Sequence, residues 1–407
     1  TANGGSPVNT SGVGGGGGRV ALYGDYVGTP SDFSGLRNVT AVRGRGTHDT
    51  WGGGSGTVYV KIGAAPYGDL YVDDGMEDAQ GNLTGTGPES PVVPHVGLGV
   101  TSEVTPDTLT TDRAVPLLPG GLSGLRLNPD VTQNETFLVV SNTDNTLRVA
   151  TPNEHGVVFA AVAGAGRVYS SSYVFDNVIF RRGGNMVLGE PLTVPGTLLL
   201  AENGRLSHYG ATPSWDVGAR LDLPVGTLVI DSTSRIEVTG RGYPGAGPES
   251  RGSGRTIPEI NNGVGSGAGA GGSHGGLGGA YQPQNYQPGP TYGDIANPVY
   301  LGSGGGSYNG AAGGAGGGRV FITASTMTLD GSILANGVSD AGSAAGCGSG
   351  GTVNLLAGTL TGAGSVAANG GSPVGTSGVG GGGGRIAVVS TVAGSLPDSA
   401  FLAAGGS

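Results

Sequence analysis

The densest acidic segment of the chain is VDDGMEDAQGN, which brings Asp73, Asp74, Glu77 and Asp78 close together. Carboxylate oxygens are the ligands that Ca²⁺ prefers, so one interpretation is a calcium site in a loop. The spacing departs from that of an EF-hand loop, and the interpretation that we favour is a solvated acidic loop. Calcium is the only cofactor that the sequence suggests.

Other residues that could do chemistry are scattered. The histidines share no metal-ligand spacing, and no G-x-S-x-G nucleophile elbow occurs. A site needs several convergent groups, so we expect the chain not to be an enzyme. A polysaccharide lyase or hydrolase is the alternative, and it would need clustered charges on neighbouring strands. The histidines are His48, His95, His155, His208 and His274, and the carboxylates of the predicted strands are Asp222, Asp231, Glu237 and Asp330.

Glycine tracts deliver the chain into an apolar run at five places. A phosphate-binding loop would require a lysine after the tract and then a helix, and both are missing. We predict packed, extended glycine backbone whose neighbours hydrogen-bond laterally; a flexible loop is the alternative. The five transitions are Gly18-Arg19-Val20, Gly56-Thr57-Val58, Gly318-Arg319-Val320, Gly351-Thr352-Val353 and Gly384-Arg385-Ile386.

Composition points to an ordered but repetitive protein. The chain has 407 residues, of which 89 are glycine, a content that is often typical of disorder. Short alternating apolar runs between the tracts argue for order instead. The single cysteine, Cys347, excludes an internal disulfide. We interpret it as a small buried residue, with an intermolecular bridge as the alternative.

The charge balance argues against two classes of partner. The net charge is −10, and no basic patch with interleaved aromatic residues is present, so we expect no nucleic-acid partner. An acidic chain without a long apolar run is also not expected to insert into a membrane. The chain starts at Thr1 without a methionine, from which we expect a processed product or an excised segment.

Internal repeats dominate the C-terminal part of the chain. RVFITASTMTLDGSILANG starts at Arg319, TVNLLAGTLTGAGSVAANG at Thr352 and RIAVVSTVAGS at Arg385, so the starts are 33 residues apart. A second pair, starting at Gly196 and Gly226, has a spacing of 30 residues. Short strands at such a period predict an all-β fold, namely a right-handed parallel β-helix with glycine-rich loops packed on one side and a small β insert.

The predicted domain boundaries follow changes in glycine content and in the pattern of apolar residues along the chain. Between about residues 64 and 172 glycine becomes rarer, and TFLVVSNTDNTLRV predicts a hairpin about Asn142 to Asn145. The predicted parts are glycine-rich coils (1–63), a small all-β insert (64–172), further coils (173–242), a glycine- and tyrosine-rich loop region (243–318) and coils of period 33 (319–407).

The two ends of the chain echo each other. GGSPVNTSGVGGGGGRVAL spans residues 4–22 and GGSPVGTSGVGGGGGRIAV spans residues 370–388. An exposed strand edge is a template for association, so we expect copies of the chain to continue one another end to end. The residues predicted for self-association are Arg19, Val20, Arg385 and Ile386.

Five tyrosines punctuate the loop region. A tyrosine offers apolar area with a polar tip, which suits a surface that contacts sugars. The alternative is that these rings cover the side of the fold. The candidates for contact with a glycan or a surface are Tyr281, Tyr286, Tyr292, Tyr300 and Tyr308.

Several segments resemble a known kind of protein. They include YGDLYVDDG, GLRLNPDVTQNETFLVVSNTDNTLRV, YVFDNVIFRRGG and LDGSILANG. The sequence is similar to glycine-rich β-helical repeat modules of very large secreted or surface bacterial proteins of the myxobacterial type. The resemblance implies an adhesin-like or fibrous role at the cell surface or outside the cell, and it carries over no catalytic residues.

The predicted function is that of a structural extracellular fibre or filament subunit, or an adhesive stalk, built by end-to-end stacking. The expected partner is the chain itself, as a homopolymer or as tandem copies. The first alternative is a glycan-binding adhesin module that contacts polysaccharide or cell-surface glycans, and the second is the lyase or hydrolase. An ice-binding surface would need regular threonine ladders, and TASTMT at Thr323–Thr328 does not recur.

Overall fold

A computed structural model describes residues 1–6, 13–24, 39–44, 53–75, 92–212, 219–248, 251–282, 285–339, 344–375, 377–392, 394 and 396–407. Within these ranges the chain is nearly all β, and the predicted all-β content is confirmed.

The first strands in chain order are β1 (Arg19–Gly24), β2 (Gly56–Ile62), β3 (Asp69–Asp73), β4 (Gly99–Val104), β5 (Thr108–Thr111), β6 (Arg126–Asn128), β7 (Phe137–Asn142), β8 (Thr146–Val149), β9 (Val168–Val174) and β10 (Asn177–Arg181). The later strands are β11 (Asn185–Leu188), β12 (Leu192–Leu200), β13 (Arg205–His208), β14 (Leu221–Ile230), β15 (Arg235–Glu237), β16 (Arg319–Leu329), β17 (Ser332–Leu334), β18 (Thr352–Thr361), β19 (Ser365–Ala367), β20 (Arg385–Val392) and β21 (Phe401–Leu402). In the described ranges, a short helix, α1, spans Phe159–Val162, and 3-10 turns span Asn261–Gly263 and Asp398–Ala400.

The chain forms two compact units. The parallel-sheet unit comprises Thr1–Pro91, Phe175–Val187 and Val194–Ser407. The barrel unit comprises Val92–Val174 and Leu188–Thr193.

The barrel unit is a closed antiparallel sheet of six strands. Pairing runs from β4 to β5, β8, β7, β6 and β9 and then returns to β4, and every one of these pairs is antiparallel. The hairpin predicted about Asn142 to Asn145 is confirmed as the β7–β8 connection, where Thr143 N–H donates to Thr146 O. The core of the barrel unit is filled by buried apolar side chains, among them Leu109, Leu127, Phe137, Leu147, Phe159 and Tyr169.

The parallel-sheet unit contains two sheets. The larger one has the order β1-β2-β3-β10-β12-β14-β16-β18-β20, and the smaller one β11-β13-β15-β17-β19-β21. The repeat of 33 residues is confirmed by the strand register, since Arg319 lies opposite Thr352 and Thr352 lies opposite Arg385. Alternate residues such as Val320, Ile322, Val353 and Leu355 are fully buried, as expected for strands with one face on a core.

The larger sheet changes direction once. The pairs β1–β2 and β3–β10 are parallel, but β2 and β3 are antiparallel. The connection is the short segment after Ile62, where Gly63 and Gly68 adopt positive φ angles of 61° and 78°. Glycine reaches this region of φ without a steric penalty, which permits the tight reversal.

The predicted right-handed parallel β-helix is therefore wrong as the fold of this chain. The barrel unit is antiparallel and closes on itself with its own core. The parallel strands are also interrupted by the reversal between β2 and β3. A local repeat specifies which neighbours can pair, but it does not specify a single uninterrupted winding.

The glycine tracts hydrogen-bond laterally. Gly302 N–H donates to Gly317 O, and Gly317 N–H in turn donates to Ser349 O, both over 2.9 Å. The approach is so close that a Cβ atom added to Gly381 would overlap the carbonyl oxygen of Gly348. This packing excludes other residue types at such positions.

Candidate self-association edges

The echo in the sequence is also an echo in the structure. Hydrogen bonds near the N-terminus recur between the equivalent residues near the C-terminus. The pairs of bonds are Ala2 N–H to Thr40 O and Ala368 N–H to Leu402 O; Gly4 N–H to Val42 O and Gly370 N–H to Ala404 O; Gly15 N–H to Gly5 O and Gly381 N–H to Gly371 O; Gly18 N–H to Ala2 O and Gly384 N–H to Ala368 O; Gly44 N–H to Gly15 O and Gly406 N–H to Gly381 O.

The two strands that carry the repeated sequence, β1 and β20, pair with their neighbours through opposite edges. Strand β20 pairs with β18, which precedes it in the chain, whereas β1 pairs with β2, which follows it. Within the described ranges, β1 and β20 end the order of the larger sheet. Each echo strand thus leaves open the edge that its counterpart uses.

The transitions from glycine tract to strand lie in one register. Thr352 N–H donates to Gly318 O and Arg385 N–H donates to Gly351 O, each over 2.9 Å. Near the N-terminus, Thr57 N–H donates to Gly18 O over 3.1 Å. In every case the later strand donates to the glycine carbonyl that precedes the earlier strand.

The apolar side chains that continue the core onto β20 are less completely buried than those of the neighbouring strand. Val353 and Leu355 on the neighbouring strand are 0% exposed, while Val388, which lies opposite Leu355, is 38% exposed. Ile386, which lies opposite Val353, is half-buried. Among the described residues, these side chains are thus less completely buried than their counterparts on β18.

At β1, the other end of the larger sheet, the apolar side chains are also incompletely buried. Val20 and Leu22 are half-buried and pack against Val58 and Val60, which are fully or almost fully buried. The two open strands thus present matching pairs of partly covered apolar side chains. Such an edge is a template for pairing with another strand.

The four residues predicted for self-association lie on these two edges. Arg19 is exposed, and Val20 and Ile386 are half-buried. The guanidinium of Arg385 donates to the main-chain oxygen of Tyr292 from Nε and from a terminal nitrogen, over 3.0 and 2.9 Å. This arginine therefore caps a carbonyl of the tyrosine-rich region.

The acidic residues predicted to bind calcium are engaged with arginines where they are described. Asp73 forms ion pairs with Arg181 and Arg182, and Asp74 forms one with Arg43 over 2.8 Å. Both carboxylates are 1% exposed. Glu77 and Asp78 lie outside the described residues.

Burial raises the pKa of Asp74 to about 7, although the charge of Arg43 and a hydrogen bond from Ser55 act in the opposite direction. No group of three or more metal-ligating side chains occurs in the part of the chain that the structure describes.

The five tyrosines divide into two sets. Tyr281, Tyr292 and Tyr308 are buried, whereas Tyr286 is half-buried and Tyr300 is 37% exposed. The hydroxyl of Tyr292 donates to Leu301 O over 2.6 Å, so its polar tip is used inside the protein. Only Tyr286 and Tyr300 are placed to contact a sugar.

A buried carboxylate in the barrel unit was not singled out by the sequence. Oε1 of Glu190 accepts hydrogen bonds from Val96 N–H, Gly97 N–H and the hydroxyl of Ser171, over 2.5, 2.6 and 2.6 Å. Burial raises the pKa of Glu190 against these hydrogen bonds. Its donors come from distant parts of the sequence, so no local motif announces the cluster.

Two buried histidines also lacked a sequence signal. Nε2 of His208 accepts a hydrogen bond from Arg319 N–H over 3.1 Å, and Nδ1 lies 2.6 Å from Tyr209 O. Burial lowers the pKa of His208 to about 3 and that of His274 to about 4. These residues are held neutral inside the fold, while His48 lies outside the described residues.

None of the described helices is both long enough and apolar enough to cross a membrane. No family model, curated protein or solved structure matches the chain. The candidate function is accordingly argued from the geometry of the two edges.

Proposed function

We propose that the chain is a structural subunit that joins other copies of itself end to end, with β20 of one copy pairing with β1 of the next. The observation that carries the proposal is that one echo strand is paired through its preceding edge and the other through its following edge. The pairing of β1 with β2 and of β20 with β18 supplies a pattern for how each open edge would be covered.

The register of the proposed joint follows from the ladder. Arg385 would lie opposite Arg19 of the next copy, as Arg319 lies opposite Thr352 and Arg19 opposite Thr57. The next bond in the series would run from Arg19 N–H to Gly384 O of the neighbouring copy.

The same register completes the core. Ile386 would meet Val20 of the next copy, and Val388 would meet Leu22. Full burial of a Val, Leu or Ile side chain contributes about 1.5–3 kcal/mol, so covering four half-covered side chains contributes several kcal/mol to each joint. This apolar gain favours fibres over single copies at sufficient concentration.

Two segments would compete for one position in the joint. Residues 401–406 bond to the tract below them as residues 39–44 do, through Gly406 N–H to Gly381 O and Gly44 N–H to Gly15 O. An incoming copy would bring its own residues 1–6 to this layer. Either those residues or residues 401–407 must move aside before β1 can reach β20, unless successive copies share the layer within one polypeptide.

The fibre would act as mechanical material or as an adhesive stalk. Continuous main-chain pairing leaves few exposed peptide groups for a protease. The extracellular location rests on the resemblance described above and is part of the proposal.

The proposal is tested by blocking one open edge. Gly18 O accepts a hydrogen bond from Thr57 of β2, and Gly24 O accepts one from Gly63, which follows β2. The main-chain N–H and C=O groups of successive residues in a strand point toward opposite edges. The N–H of Ala21 therefore faces the open edge. Ala21→Pro removes this donor without removing a bond to β2, whereas the control Ala21→Val keeps it.

Sedimentation velocity over a concentration series compares the two variants. The proposal expects the wild type and Ala21→Val to assemble and Ala21→Pro to remain monomeric with an unchanged circular dichroism spectrum. Equal assembly by both variants would count against pairing through β1.

A further inference from the structure

The reversal between β2 and β3 moves the buried side of the larger sheet to its other face. In this antiparallel pair Val58 lies opposite Tyr71 and Val60 lies opposite Asp69, and residues directly opposite each other share a face. Val58 and Val60 form the small N-terminal core, to which Tyr71 also contributes.

The following strands bury the opposite face. Leu70 lies opposite Val178, and Val72 lies opposite Phe180. These four side chains are buried, Val178 and Phe180 completely. Because Leu70 and Val72 alternate with Asp69 and Tyr71, they point to the other side of the sheet. The cores of β1–β2 and of β3–β10 thus lie on different sides of one sheet. From Val178 the buried column continues through Leu198 and Leu228 in the second half of the long strands. Ile386 and Val388 of β20 continue the buried column of the first half, and on β12 the two halves meet at a register shift between Val194 and Thr197.

The strand direction reverses at the same place as the buried face of the sheet. Strands β3, β10, β12, β14, β16, β18 and β20 form a parallel series. Strands β1 and β2 are parallel to each other but antiparallel to this series at the β2–β3 pair. Within one copy, β1 and β20 therefore differ in both chain direction and buried face.

We infer that consecutive copies in the fibre are related by a half turn about the fibre axis, in addition to any twist of the sheet. This inference rests on the proposed function. For β1 of the next copy to run parallel to β20 and to bury Val20 and Leu22 on the side of Ile386 and Val388, the whole copy must be rotated. A half turn about the axis reverses both the chain direction and the buried face.

A simple translation of the copy gives a different joint. It would place β1 antiparallel to β20, with the two apolar pairs on opposite faces of the sheet. The four half-covered side chains would then stay uncovered by one another. The hydrogen bond from Arg19 N–H to Gly384 O would also be lost.

The half turn sets the repeat of the fibre. The path from β1 to β20 contains nine strands, namely β1, β2, β3, β10, β12, β14, β16, β18 and β20. At about 4.8 Å per strand, one copy advances the axis by about 43 Å. Apart from the twist of the sheet, the same orientation recurs only after two copies, or about 86 Å.

Cysteine cross-linking distinguishes the two joints. In a Cys347→Ser background, chains carrying Ala21→Cys or Tyr23→Cys are mixed with chains carrying Ala387→Cys or Val389→Cys. A half turn places residue 21 beside 387 and residue 23 beside 389. A translated copy places residues 21 and 23 against the partner strand in the opposite order.

The readout is the yield of cross-linked dimer with a short bifunctional thiol reagent. The inference expects the combinations 21–387 and 23–389 to give at least tenfold more dimer than 21–389 and 23–387. Higher yields from the crossed combinations in assembled fibres would overturn the half turn but keep end-to-end assembly. No assembly of the background protein by sedimentation, either as the full chain or without residues 401–407, would overturn the proposed function, and the half turn with it.

Discussion

The main-chain N–H of Arg319 donates a hydrogen bond to Nε2 of His208 over 3.1 Å. The imidazole thereby terminates the glycine tract that leads into β16. Because Nε2 must accept this bond, the ring has to be neutral, with its proton on Nδ1 toward Tyr209 O. This arrangement has a consequence for the pH dependence of stability.

Acid is expected to destabilise the parallel-sheet unit through His208. Burial lowers the pKa of His208 from its ordinary value of 6.5 to about 3. A base with a lowered folded-state pKa stabilises the fold above its unfolded pKa, and this contribution is lost as the pH falls from 6.5 toward 3. Each unit of pH in that window costs about 1.4 kcal/mol.

The measurement is urea unfolding at pH 6.5 and pH 4.5 for the wild type and for His208→Asn. The variant should be less stable at pH 6.5, and its loss between the two pH values should be smaller than that of the wild type by about 2 kcal/mol. Asp74, whose pKa burial raises to about 7, cancels because it is present in both proteins. Parallel pH profiles would contradict a neutral buried His208.

Glycine packing makes a second prediction. A Cβ at Gly381 would overlap the oxygen of Gly348, whereas a Cβ at Gly247 would meet nothing within 4 Å. Gly381→Ala should therefore lower the free energy of unfolding by about 2–3 kcal/mol through overpacking. Gly247→Ala should be neutral. The comparison is made by thermal unfolding, and equal melting temperatures for the two variants would refute the close packing.

The ion pairs of Asp73 give a third prediction, which also bears on the calcium hypothesis. Asp73→Asn leaves Arg181 and Arg182 without their shared carboxylate, and breaking a buried pair costs about 3–5 kcal/mol. Because the arginines occupy the carboxylate, millimolar Ca²⁺ should not raise the melting temperature of the wild type. A rise that Asp73→Asn abolishes would instead support the calcium site predicted at Asp73, Asp74, Glu77 and Asp78.

The tyrosines give a fourth prediction. Tyr292 is buried and its hydroxyl donates to Leu301 O, so Tyr292→Ala should destabilise the fold by about 3–5 kcal/mol. Tyr300→Ala, at a 37% exposed side chain whose ring contacts that of Tyr292, should cost less, about 1 kcal/mol. Loss of retention on a glycan array by Tyr300→Ala and Tyr286→Ala, with intact circular dichroism spectra, would favour the glycan-binding alternative.

The competition between residues 401–407 and the incoming residues 1–6 gives a fifth prediction. Removing residues 401–407 vacates the position that residues 1–6 of an incoming copy require. The truncated chain should assemble at a lower concentration than the full chain, as measured by light scattering. A higher threshold would mean that residues 401–407 belong to the joint.

Some of the fold follows from the sequence because it depends on local repetition. The 33-residue spacing places Arg319, Thr352 and Arg385 in one register. The segment from Asn142 to Asn145 closes a hairpin because its Asn and Asp residues, which favour turns, lie between two runs of β-forming residues.

Other features depend on pairings between distant residues. The barrel closes where Gly99 and Val100 meet Tyr169 and Val168, and no motif near either strand encodes that contact. The change of buried face depends on Tyr71 and Asp69 lying opposite Val58 and Val60. In the sequence, β2 and β3 are alternating runs like their neighbours, so the reversal leaves only the short turn after Ile62 as its signal.

Negative-stain electron microscopy over a concentration series, with light scattering on the same samples, tests the central claim most directly. End-to-end assembly predicts fibres that lengthen with concentration, show an axial spacing of about 86 Å and disappear in Ala21→Pro but not in Ala21→Val. Single particles of constant size at every concentration, both for the full chain and for the chain without residues 401–407, would contradict end-to-end assembly.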